Sequence, residues 1–186
     1  MIRKTILCTV AVLLLLSCGG SGDYDMEKPA IDMSGASAFP LTCDTVYRGE
    51  SFTFGALFTD NRELGNYNIE IHNNFDHHSH STDNTPCAPD ERKAPVNPFI
   101  YNRDFRIPAG TVSLEVRNSI PVPEDVDTGD YHFMIRLTDR AGWQQLKAVS
   151  IKVRERETGA GVRLVSPDGA AKALSASERD GDGSVM

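Results

Sequence analysis

Four of the five histidines of this chain fall within residues 71–80, read Ile-His-Asn-Asn-Phe-Asp-His-His-Ser-His, and the fifth is His132. Imidazole is the commonest metal ligand and titrates near neutrality, so this concentration points to chemistry with a metal ion or a proton. In an extended segment His78 and His80 project to one side and can chelate together, whereas His77 points the other way unless the backbone turns. Zinc takes four nitrogen, sulfur or oxygen ligands at about 2.0–2.3 Å. Copper accepts the same imidazoles, and Met134 offers a thioether in addition. The expected ligands are His72, His78, His80 and His132, with His77 and Asp76 in reserve, and the expected metal is zinc or copper. A solvated histidine-rich loop that holds no ion is the competing reading of the same tract.

Other chemistry is poorly served. Ser79 and Ser81 stand beside histidines and near Asp76 and Asp83, but immediate neighbours in one loop are not a preorganised triad. No Gly-x-Ser-x-Gly, phosphate loop or dinucleotide fingerprint occurs. Metal-assisted hydrolysis needs a general base, for which Glu70 is the only outward carboxylate near His72. The expectation is a binding protein without catalysis. Asp60, Asn61 and Asp139 make a second set of oxygen donors suited to calcium, though Asp and Asn favour turns for backbone reasons alone.

The elements that must position these residues are strands. Residues 28–33 and 41–47 read as one broken strand, with Pro29 and Pro40 suiting an edge. Residues 51–58 alternate, with Phe52, Phe54, Ala56 and Phe58 inward. After a turn-rich connection through residue 66, residues 67–75 alternate again, with Tyr67, Ile69 and Ile71 inward and His72 outward. Residues 76–108 read as one long irregular connection. Residues 111–118 form a strand with Val112, Leu114 and Val116 inward, ended by Pro121-Val122-Pro123. Tyr131, Phe133, Ile135 and Leu137 then face inward, His132, Met134 and Arg136 outward, and after a turn at residues 138–142 the last strand returns over residues 143–153.

Six or seven short strands without an amphipathic helix give an all-β, antiparallel sandwich. Asp127-Thr-Gly-Asp-Tyr131 resembles the tyrosine corner of immunoglobulin-like sandwiches, with Phe133 where antibody domains carry a cysteine. That resemblance makes residues 66–75 strand C and residues 130–138 strand F, antiparallel neighbours. His72 and His132 then share a face and an end, with Cβ atoms about 5–8 Å apart.

Arg3, Lys4 and the apolar run of residues 5–16 form an export signal too short to span a bilayer. Leu15-Leu16-Ser17-Cys18-Gly19 resembles the lipobox of bacterial lipoproteins, which implies cleavage before Cys18 and acylation of its thiol, palmitate-type chains holding the protein at a membrane. Without Arg3 and Lys4 the chain is two charges more negative than its full-length −7. So acidic a protein is a poor partner for nucleic acid. Cys43 and Cys87 remain, and in an oxidising compartment an even remainder pairs. The rival is Cys87 as a thiolate ligand. The disulfide closes a loop of 45 residues counted from 43 through 87, worth about 4 kcal/mol if chain entropy governs it.

The segments Phe58-Thr-Asp-Asn, the histidine stretch and Asp127-x-Gly-x-Tyr131 together resemble an uncharacterised family of Bacteroidota lipoproteins. Its domain of unknown function is an immunoglobulin-like or polycystic-kidney-disease-like sandwich. The resemblance covers about residues 24–154, and implies fold and location without a settled activity. The expected organisation is a signal peptide at 1–17, a flexible tether at 18–27, the sandwich at 28–154 and a disordered tail at 155–186. The expected role is metal binding or delivery by a lipid-anchored protein of the cell envelope, at the outer membrane. The alternative is a surface module that binds a protein or glycan partner.

Overall fold

The computed structural model describes residues 24–79, 82 and 87–157. Cys18, His80, Ser81, Asp83 and the sequence beyond residue 157 lie outside the described residues. Among the described residues eight strands form: β1 (Ala30–Asp32), β2 (Thr45–Tyr47), β3 (Ser51–Thr59), β4 (Leu64–Asn73), β5 (Tyr101–Arg106), β6 (Ser113–Pro121), β7 (Gly129–Asp139) and β8 (Gln144–Arg154). They make two sheets, ordered β1-β3-β6 and β2-β8-β7-β4-β5. All pairs are antiparallel except β2 with β8, which is parallel. This is the expected immunoglobulin-like sandwich.

Its core follows from the period-two patterning. Phe54 and Phe58 of β3, Ile69 and Ile71 of β4, and Phe133 and Ile135 of β7 are all fully buried, because alternate residues of each strand face the opposite sheet. Phe54 and Phe133 meet across the sandwich at 5.3 Å between ring centroids. The tyrosine corner forms: Tyr131 Oη donates to the Asp127 carbonyl at 2.6 Å and accepts from the Phe99 amide at 3.1 Å.

Four local expectations need correction. The broken first strand is two strands in different sheets, β1 beside β3 and β2 beside β8. The long irregular connection contains β5, which pairs with β4 from Ile71↔Tyr101 to Asn66↔Arg106; its exposed polar positions 102–104 hid it. The fourth core strand starts at Ser113 and runs to Pro121, so Val112 lies outside it and is exposed, and its inward set is extended by Ile120. Leu64 and Gly65 belong to β4, with a bulge before Asn66. Gly65 is needed there, since a Cβ would lie 2.7 Å from the Asp139 carbonyl oxygen.

Cys43 and Cys87 are bonded. The chain leaves β4 at Asn73, and by Thr82 it has reached β8, whose Ala148 amide donates to Thr82 Oγ1 at 3.0 Å and whose carbonyl accepts the Thr82 amide at 3.0 Å. Further along, Lys152 Nζ donates to the Ala88 carbonyl at 2.7 Å and to Asp90 at 3.1 Å, and pairs with Asp130. The connection after β4 is therefore fastened across the outer face of the larger sheet.

Candidate metal centre

His72 of β4 and His132 of β7 are directly opposed in register and share the outer face of the sheet. Their rings lie 5.5 Å apart. Both face away from the sandwich core, but His132 is only 1% exposed, because the connection after β4 covers it. A strand residue expected at the surface is thus buried by a loop rather than by the opposite sheet.

That loop brings His78 over the pair. The His78 ring stacks on His72 at 5.6 Å with 11° between planes, and stands edge-on to His132 at 5.2 Å. His78 Nε2 and His72 Nε2 are 3.5 Å apart. Each of these two rings is gripped from behind. His72 Nδ1 donates to Glu70 Oε1 at 3.0 Å, two residues back on the same face of β4, and His78 Nδ1 bonds Asp76. The His78 hydrogen bond holds the Asp76 carboxyl below its usual range. A carboxylate on Nδ1 fixes the tautomer with its lone pair on Nε2, as happens behind metal-bound histidines.

The third ring is held by the backbone of the loop. His132 Nε2 donates to the His78 carbonyl at 3.1 Å. His77, a reserve ligand, takes a left-handed φ of 61°, but its ring goes elsewhere: Nδ1 accepts from Arg92 Nε at 3.2 Å, and Nε2 faces Asp130 at 3.7 Å. Asp76, the other reserve, orients His78. Cys87 is in the disulfide, which removes it as a thiolate ligand. Met134 is part-buried and two residues along β7 from His132, opposite Glu70. His80 lies outside the described residues.

Sequence reasoning singled out Glu70 as a general base and missed its bond to His72. Its i,i+2 spacing on a strand was the available signal, since it puts carboxylate and imidazole on one face. Two parallel imidazoles with anchored Nδ1 atoms and adjacent Nε2 edges can hold a cation jointly, or share a proton.

A family model described as a domain of unknown function, DUF4625, matches residues 16–154. No curated protein matches the chain. Among solved structures, that of Spo0M, a sporulation control protein from Bacillus subtilis, is similar with 13% identity and a TM-score of 0.36, over 69% of this chain and 49% of that one. The chain spans about half the length of that relative.

Proposed function

The chain belongs to the DUF4625 family, whose membership leaves activity open, and we propose that it is a lipid-anchored cell-envelope protein that binds or delivers zinc or copper at the His72–His78 pair. The observation that carries this reading is the 3.5 Å separation of the two Nε2 atoms. Two nitrogens bound to one tetrahedral zinc at about 2.0–2.1 Å stand about 3.3 Å apart. The pair is thus within a few tenths of an ångström of bidentate coordination, with both rings already oriented.

His132 and His80 complete the ligand set. His132 joins by exchanging its hydrogen bond to the His78 carbonyl for the metal. Glu70 acts by holding His72. Export and acylation at Cys18 rest on the signal and lipobox residues. The Cys43–Cys87 disulfide supports them, since such bonds persist in oxidising compartments.

The test is elemental analysis of the untagged full chain. About one equivalent of zinc or copper is expected, lost in His72→Ala and His78→Ala. Glu70→Gln is expected to weaken metal affinity by about 10–100-fold, as loss of such supporting carboxylates does. Folded protein that takes up neither metal would overturn the reading and leave the protein- or glycan-binding module.

A further inference from the structure

A second constellation sits at the other end of β7. From His132 to Asp139 that strand advances about 23 Å at about 3.3 Å per residue. Asp139 closes β7, Asp60 directly follows β3, and Asp25 lies in the segment before β1. One carboxylate oxygen from each falls within 4.8 Å of the others. Three anions gathered this closely repel one another unless a cation lies between them.

The two strand-end carboxylates are built in. Asp139 is only 3% exposed. Its Oδ1 accepts from the amides of Gly142 and Trp143 at 2.6 and 2.8 Å, which forms the β7–β8 turn. Asp60 Oδ1 does the same for Arg62 and Glu63 at 2.9 and 2.6 Å. In both residues Oδ2 is buried and has no hydrogen-bond partner among the described residues. Turn geometry accounts for one oxygen of each and leaves the other unexplained, and a buried carboxylate oxygen without a donor or cation is strongly disfavoured. Asp25 is fixed independently. Trp143 Nε1 donates to its carbonyl at 2.8 Å, and Asn61 Nδ2 to its Oδ1 at 3.1 Å.

We propose that Asp25, Asp60 and Asp139 bind calcium, clamping the segment that precedes β1 onto the end of the sandwich. An all-oxygen donor set selects a hard cation over zinc or copper. Opposite ligands of calcium stand about 4.6–5.2 Å apart, so three carboxylate oxygens within 4.8 Å of one another fit inside its shell. Three carboxylates from two turns and the segment before β1 also suit calcium's tolerance of irregular geometry.

Trp143 is the only tryptophan and touches Asp25, which provides a direct probe. Terbium, a calcium mimic, added to the full chain is expected to give tryptophan-sensitised emission that calcium displaces. Calcium at about 10 mM is expected to raise Tm by about 4 °C or more over the chelated protein, if affinity is that of extracellular calcium modules. Asp25→Asn, which leaves both turns intact, is expected to abolish the emission and the calcium-dependent shift while zinc or copper content stays unchanged. His72→Ala is expected to keep both signals. Absence of sensitised emission and of any calcium effect in the parent protein would overturn the proposal, as would signals that survive Asp25→Asn. Equal protection by magnesium would overturn the assignment to calcium.

Discussion

Tyr131 joins three parts of the chain through one hydroxyl, bonding the Asp127 carbonyl and the Phe99 amide. Removing it in Tyr131→Phe takes the partner from the buried Phe99 amide and from the part-buried Asp127 carbonyl, and a loss of about 2 kcal/mol is expected in urea denaturation. Burial pushes the Tyr131 phenol up to about 12, against about 10 for the unfolded chain. Its folded pKa is the higher one. The stabilisation is therefore complete below pH 10 and declines as pH rises from about 10 to about 12. Phenolate absorbance is expected to show one of the five tyrosines titrating last, with that step missing in Tyr131→Phe. At this scale the sequence was read well where a residue's role depends on strand alternation: His72 and His132 are opposed on one face, as expected. It was read poorly where a role depends on a through-space neighbour. Asp60, Asn61 and Asp139 read chiefly as turn residues, Asn61 donates to Asp25, and Asp25 itself lay in a segment whose composition reads as a tether.

The connection after β4 determines how the histidines meet, and its hold on the sheet is ionic as well as covalent. Lys152 is 9% exposed and sits among Asp130, Asp90 and the Ala88 carbonyl. Lys152→Ala strands the buried Asp130 carboxylate, while Asp90 keeps Arg154, and a loss of about 3 kcal/mol is expected in denaturant melts. Burial works against ionisation of Asp90, and Arg154 and Lys152 outweigh it, leaving its pKa lowered. A lowered carboxylate pKa stabilises the fold above the unfolded value of about 3.9 and ceases to as pH falls through the folded one. Acid is therefore expected to loosen this loop, with faster amide exchange at Asp90, whose N–H bonds Asp130. Reducing Cys43–Cys87 is expected to lower stability by about 4 kcal/mol and to weaken metal retention together with it. The disulfide pairing was legible once the signal and lipobox readings set aside Cys8 and Cys18 from the four cysteines. β5 was not, because an edge strand with polar residues at 102–104 and an exposed Ile100 lacks the alternation that marks a buried one.

For the chain as a whole, the sandwich was legible because most of its strands state their own inward face, and the family match over residues 16–154 agrees in extent with the resemblance read from three short segments. What the sequence hid is which sheet each half of the first strand joins, since pairing partners far along the chain decide that. If Cys18 carries the acyl anchor, Cys18→Ser is expected to move the protein from the membrane pellet to the soluble fraction on ultracentrifugation. Such an anchor also makes the β2–β8 pair matter mechanically. β2 runs parallel to β8, so tension between the N-terminal end of the domain and its C-terminal strand drags the two strands lengthwise past each other. Their hydrogen bonds must then rupture together instead of unzipping in turn, which equips the domain to bear load while tethered.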